Sequence, residues 1–296
     1  MSNQTNEVPP LNTVDVFSLS LAVLTAAFHA IGIIVMCCLK KKLNQKNILL
    51  SLSISEILYC LYGVLWPVKT LKVPRQSLNM FCTLSNKLLM LTLLGDRFLE
   101  IYLNLLYPIV ITRERLVRVL SSVWTVAGLY GLVVGIVVNI DNSHYYHAYS
   151  VHNYIVLVLD TVFTLSAICT YGYFFSKIRD INRKAANRST GSNGKCSRKF
   201  NFKIPFSIIA TFLIFNVTST ILFQTKIYLK GKYSILDEKC APCQFLGDAA
   251  YLLIILGFLS DSILYIIMQR PIRRFIRRKV WPLSNVRGAT KMQSLH

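Results

Sequence analysis

Leu94-Gly95-Asp96-Arg97-Phe98, followed by Tyr107-Pro108 and Thr112, closes an apolar run that extends over about 78–103. An arginine at the edge of a hydrocarbon layer is costly and is rarely kept there without a task. Working outward from this run, six more of similar length follow the same pattern, near 16–39, 47–68, 115–139, 151–176, 204–228 and 245–268. Each is long enough to cross about 30 Å of hydrocarbon as a helix. Helices are the only open-chain solution in lipid, because every backbone donor and acceptor must be satisfied within its own segment. The chain of 296 residues is 53% hydrophobic and only 16% charged, where a soluble domain carries about 25% charge; its mean hydropathy is +0.47. The fold class expected is an all-α membrane protein, a seven-transmembrane helix bundle. The tail Pro271-Ile272-Arg273-Arg274-Phe275-Ile276-Arg277-Arg278 places Ile272, Phe275 and Ile276 at helical spacing among arginines, which predicts a short amphipathic helix eight on the inner leaflet.

The formal net charge of +20 does not point to nucleic acid, because the basic residues sit in the connections between apolar runs. Twenty-four of them fall on one side, in the loops after the first, third and fifth runs and in the tail, against seven on the other. The positive-inside rule then orients the chain. Residues 1–15 form an extracellular N-terminus, 16–268 the transmembrane domain, and 269–296 the cytoplasmic helix eight and tail. A cleavable signal peptide is not expected, since the first fourteen residues are polar without a basic region and the first apolar run is too long. Asn3-Gln4-Thr5 offers an outer glycosylation site at Asn3, whereas Asn216-Val217-Thr218 lies inside a run. Five of the eight cysteines, Cys37, Cys38, Cys60, Cys82 and Cys169, sit in apolar runs as ordinary filling, and Cys196 lies in a basic loop. Cys240 and Cys243 form a CxxC outside the cell, where it can close as a small disulfide.

Few ionisable groups interrupt the runs: His29, Glu56, Lys87, Asp96, Arg97, Glu100, Asp160 and Asp261. Glu100 reads as a helix-end residue that snorkels or pairs locally. Glu56, Lys87 and Asp261 fall near mid-depth and need partners or water; with Asn86 and Asn216 they mark an intramembrane polar cluster. Three arrangements are open there: a joint Glu56–Lys87–Asp261 cluster, a bound cation between the carboxylates, or separate pairings. Arg97 can fold back onto Asp96 in a locked state and extend to Tyr171 or Tyr265 when the helices part, a two-state element suited to signalling. Only five histidines exist, with His144, His147 and His152 at one end, so neither a metal-dependent membrane enzyme nor any cofactor is implied.

These positions together resemble the rhodopsin-like (class A) G-protein-coupled receptors over roughly residues 16–280. Asn47 to Glu56 looks like the second-helix motif, with Glu56 at the usual aspartate. Asp96-Arg97-Phe98 is similar to the family's aspartate-arginine-tyrosine motif, continued by Tyr107 and Thr112. Trp124 is similar to the fourth-helix tryptophan, Tyr171 to the fifth-helix tyrosine, and Asp261-Ser262-Ile263-Leu264-Tyr265 to the seventh-helix motif. The departures are specific. Helix three has no outer cysteine, with Lys72 near that place; Asn216 stands at the sixth-helix tryptophan, Ser262 at the seventh-helix proline, and helix five has no proline. The missing helix-three cysteine, the short loop at about 140–150 and Cys240-Ala241-Pro242-Cys243 look most like the melanocortin-related branch. That branch carries acidic residues where this chain has Trp66, Lys72, Gln76 and Asn79, so its basic peptide ligand is not carried over, and Asn79 in place of an aspartate argues against a monoamine.

The resemblance implies a plasma-membrane receptor that passes an extracellular ligand signal to a heterotrimeric G protein. Asp96, Arg97, Tyr107, Tyr171 and Tyr265 would form the coupling switch. Tyr62, Trp66, Lys72, Gln76, Asn79, Asp160 and Asp248 would contact the ligand, a small, acidic or lipid molecule. The other class is a transporter or channel subunit with Glu56, Lys87, Asp160 and Asp261 along a polar path; the absence of an internal repeat speaks against it.

Overall fold

The computed structural model describes residues 13–38, 44–65, 72–103, 106–140, 142–188, 207, 210–233 and 241–268. Among these the chain is almost entirely helical. The helices are α1 (Thr13–Cys38), α2 (Asn44–Leu65), α3 (Lys72–Leu103), the single turn α4 (Tyr107–Val110), α5 (Arg113–Ile140), α6 (Asn142–Arg188), α7 (Thr218–Tyr233) and α8 (Ala241–Met268). Seven helical segments are long and apolar enough to cross a membrane, from Val16–Cys38 in α1 to Phe245–Leu264 in α8, the sixth, Ala210–Leu229, beginning before α7 and running into it. The amphipathic tail expected over 269–296 lies outside the described residues.

Local chemistry sets the helix starts. Pro74 and Pro242 occupy the first turns of α3 and α8, and Pro108 the first turn of α4, where the missing N–H leaves no bond unmade. Thr112 precedes α5 and its hydroxyl accepts from the Arg115 N–H at 3.4 Å, while Glu114 in the first turn complements the helix dipole. Two expected boundaries move. The third helix begins at Lys72 rather than 78. The fifth expected span, 151–176, is the middle of the 47-residue α6, which takes in most of the presumed outer loop at 140–150 and continues past 176 to Arg188. No proline interrupts 142–188, so nothing stops the helix where its apolar character ends.

Apolar and polar residues are distributed as a lipid solvent demands. Leu129, Leu132, Val133 and Ile136 on α5 and Val158, Leu165 and Ile168 on α6 face outward, whereas His29, Glu56, Lys87, Asp160 and Asp261 are buried. A water-soluble fold would reverse this. α3 lies centrally, packed on α2, α4, α5 and α6. One apolar cluster joins Met36, Ile48, Leu52, Leu89, Met90, Leu93, Leu116, Leu120, Phe163 and Phe212. A second joins Ala22, Tyr59, Tyr62, Cys82, Ile255 and Phe258. α5 approaches α3 through two glycines four residues apart. A Cβ on Gly131 would stand 2.9 Å from the Phe81 Cβ, and one on Gly135 only 2.0 Å from the Ser77 Oγ. This is the small-residue contact that brings helix backbones together in lipid.

The segment leading into α7 contains a π-helical turn, Leu213–Val217, with buried Asn216 inside it. The π turn makes a local irregularity in a segment without proline. Single π turns commonly mark functional positions in otherwise regular helices.

Candidate functional site

Near the C-terminal end of α3, the Arg97 guanidinium folds back onto its neighbour as the sequence permits. It donates to Asp96 Oδ2 at 2.5 Å and to Glu100 Oε2 at 2.5 Å. The Tyr107 hydroxyl of α4 donates to the other Asp96 oxygen. Charge-assisted contacts of this kind are about twice as strong as neutral ones. Asp96 and Arg97 are buried, whereas the Glu100 side chain is 38% exposed. Burial, followed by the hydrogen bond to Asp96, pushes the Tyr107 phenol above its ordinary range. α4 is held in place by Arg115, which donates to the Val110 carbonyl at 2.8 Å. Phe98 packs its ring against Tyr102 at 5.8 Å and Tyr173 at 5.9 Å, tying α3 to α6.

Of the two readings open for Glu100, snorkelling or local pairing, the structure shows local pairing. Its spacing of three from Arg97 places both on one helix face. Tyr171 is half-buried and packs against the larger apolar cluster; Tyr265 lies in α8, and its side chain is outside the described residues.

A second polar layer crosses the middle of the helices. His29 of α1 lies 3.1 Å from Glu56 of α2 and 3.0 Å from the Phe258 carbonyl of α8. Thr211 donates to Asp261 at 2.7 Å, and Asp261 lies close enough to Glu56 to act on it electrostatically. Ser55 and Ser85 share a hydrogen bond of 2.8 Å between α2 and α3. Asn86 and Asn216 are both buried.

Lys87 departs from the joint cluster considered with Glu56 and Asp261. Its ammonium pairs with Asp160 of α6 at 2.6 Å, and both side chains are buried. Thr220 of α7 donates to the second Asp160 oxygen at 2.5 Å, and Lys87 stands 4.9 Å over the Phe212 ring. The mid-depth charges thus separate into a His29–Glu56 pair, an Asp261–Thr211 contact and a Lys87–Asp160–Thr220 group. Asp160, expected as a ligand contact, is half of a buried ion pair. The reason is helical phase: Asp160 falls on the buried stripe that also carries Asn153, Val156, Phe163 and Ala167.

The remaining expected contacts are spread out. Tyr62 is buried beside Tyr59 at 5.6 Å, Gln76 is buried, Asn79 is half-buried and Asp248 exposed. Lys72 opens α3 with its side chain undescribed, and Trp66, Cys240 and Asn3 lie outside the described residues. Residues not singled out for this region also converge there. Tyr130 lies 3.1 Å from His152 Nδ1, and Gln224 donates to the Asn153 carbonyl at 3.1 Å. His152, grouped in the sequence with His144 and His147 at one end of the run, is buried. Among the described residues no three histidine, cysteine or carboxylate side chains converge as metal ligands. Comparison with protein-family models and with curated proteins gives no match to this chain.

Proposed function

We propose that the chain is a plasma-membrane receptor of the rhodopsin-like, G-protein-coupled type, nearest in pattern to the melanocortin-related branch. It transfers an extracellular ligand signal to a heterotrimeric G protein through Asp96-Arg97-Phe98. The observation that carries this reading is the clamp on Arg97: a buried guanidinium held by Asp96 and Glu100, with Tyr107 bracing Asp96, near the end of a central helix among seven apolar ones. A guanidinium held in this way is a stored contact. A partner inserted from the basic side gains by releasing Arg97 only when the helices part, and a ligand biases that step by its differential affinity for the two states.

The proposal includes the orientation with the N-terminus outside, the seven-helix bundle completed by a short amphipathic helix eight, glycosylation at Asn3, and a Cys240–Cys243 disulfide. Cys243, which is buried and not among the free thiols, supports the last of these. G-protein activation in cells expressing the chain, beside Arg97→Ala at equal surface expression and without added ligand, tests the reading. Basal activation that the substitution abolishes supports it; activation unchanged by Arg97→Ala removes the switch from the mechanism.

The buried charges at mid-depth favour a second reading, a transporter or channel subunit in which Glu56, Lys87, Asp160 and Asp261 line a polar path. Ion flux in proteoliposomes that Lys87→Met abolishes would replace the receptor reading with this one.

A further inference from the structure

We infer that the Lys87–Asp160 pair is the floor of the ligand pocket and sets its charge rule: the part of a ligand that reaches the pair carries zero net charge. The inference rests on the receptor reading for the pocket's role and on geometry for its chemistry.

Three observations place a pocket above this pair. First, the pair lies midway along its helices, Lys87 twelve places into the span Gln76–Glu100 and Asp160 ten places into Val151–Tyr173. Second, the half of the helices on the side away from Arg97 is polar inside. Gln76 on α3 and His152 and Asn153 on α6 are buried there, and Gln224 of α7 reaches Asn153. His152 is satisfied by Tyr130, so within this lining it is Asn153 that asks for an occupant. Third, the Asn153 Nδ2 is buried with no hydrogen-bond partner. A buried amide donor left unmatched is uncommon and calls for an occupant.

The charge rule follows from the pair itself. A cationic ligand head that takes Asp160 displaces Lys87 and strands its charge in a dry site. An anionic head that takes Lys87 strands Asp160, which then keeps only the Thr220 hydroxyl. Leaving one buried charge unpaired lowers affinity by about a hundredfold or more. A zwitterionic head replaces both halves at once, ammonium on Asp160 and carboxylate on Lys87, and a neutral head leaves the pair intact. Both keep the charges matched. The expected acidic ligand is thereby narrowed to one whose acid group is balanced within the molecule or stays clear of the pair.

The full chain in lipid nanodiscs tests this without a known ligand, with thermal unfolding as the readout and sodium chloride at equal ionic strength as the baseline. Asp160→Gly and Lys87→Gly each remove one half of the pair and leave room for a small ion. Formate is expected to raise the unfolding temperature of Asp160→Gly by several degrees and to leave Lys87→Gly unchanged. Methylammonium is expected to do the reverse, and the unsubstituted chain should respond to neither. Rescue of neither variant overturns the inference, because the pair is then sealed from solutes. Stabilisation of the unsubstituted chain by either ion alone overturns the charge rule. Where a glycine variant does not fold, Asp160→Ala and Lys87→Ala still leave a cavity and carry the same test. Rescue in a chain that activates no G protein would keep this pocket and refute the receptor reading, so the two can fail separately.

Discussion

Asp96→Asn tests the clamp most directly, because it removes one charge and almost no volume. In the structure Arg97 is held by two carboxylates of unequal burial: the Asp96 side chain is 4% exposed and that of Glu100 38%. The substitution leaves an acceptor oxygen for Arg97 or Tyr107 but deletes the buried anion. A buried hydrogen bond to a charged group is worth about 1.5–3 kcal/mol. If the released state makes none of these contacts, its population rises by roughly ten- to a hundredfold, at 1.4 kcal/mol per tenfold. From a resting population of about 1%, a value within the usual range for a minor state, the lower bound brings it to roughly 10%. Glu100→Gln removes the exposed contact, worth about 0–1 kcal/mol after screening, and should change the same population less than about fivefold. The assay is basal nucleotide exchange on purified G protein with each variant in nanodiscs, normalised to folded protein. Asp96→Asn should exceed Glu100→Gln by several-fold. Equal activity, or the reverse order, would refute the argument that burial decides which carboxylate holds Arg97.

Three further outcomes follow from the same geometry. Lys87→Met alone should destabilise by about 3–5 kcal/mol, because it strands Asp160, whereas Lys87→Met with Asp160→Leu should recover most of that; thermal unfolding of the single and double variants checks it. Gly135→Ala should lower stability by about 1–3 kcal/mol through overpacking against Ser77, and adding Ser77→Gly should restore much of the loss, with surface expression and unfolding temperature as the readouts. Tyr107→Phe should raise basal exchange, and it should also remove a pH dependence. The folded-state phenol titrates above its ordinary value, so its stabilising contribution is complete below about pH 10 and falls as the pH rises beyond that. Unfolding temperatures measured between about pH 9 and 11, on either side of the ordinary phenol value, should decline more steeply for the unsubstituted chain than for Tyr107→Phe.

Span number and helical class were legible because hydrophobic length is a property of the sequence alone, and each of the seven expected runs overlaps one of the seven apolar spans among the described residues. Helix ends were less legible. The 142–188 stretch changes from polar to apolar to basic without a proline, and composition marks where lipid ends rather than where a helix ends. The partner of each buried charge was legible only where it was local. Asp96 adjoins Arg97 and Glu100 follows by three, whereas Lys87 and Asp160 are separated by 73 positions and meet through the packing of α3 on α6. Their relative depth was readable from the spans, but the rotation of each helix was not. The glycines at 131 and 135 carried a readable spacing; their partner helix did not follow from it.

The buried charges divide into two mechanical classes. His29–Glu56, Lys87–Asp160–Thr220 and Asp261–Thr211 each join different helices, so they resist any relative movement of the segments they connect. The Arg97 contacts to Asp96 and Glu100 lie within α3 itself, so they can be exchanged without first separating two helices. Tyr107, on the one-turn α4, ties that group to a neighbouring element. A switch built this way needs the inter-helix ties to yield before a space opens and the intrahelical clamp to yield afterwards, when a new acceptor reaches Arg97. Weakening an inter-helix tie should therefore raise basal activity only while Arg97 is intact. Combining Lys87→Met/Asp160→Leu with Arg97→Ala should return exchange to the level of Arg97→Ala alone. Additive effects in that combination would mean that the two groups act through separate states, and the order of release argued here would be wrong.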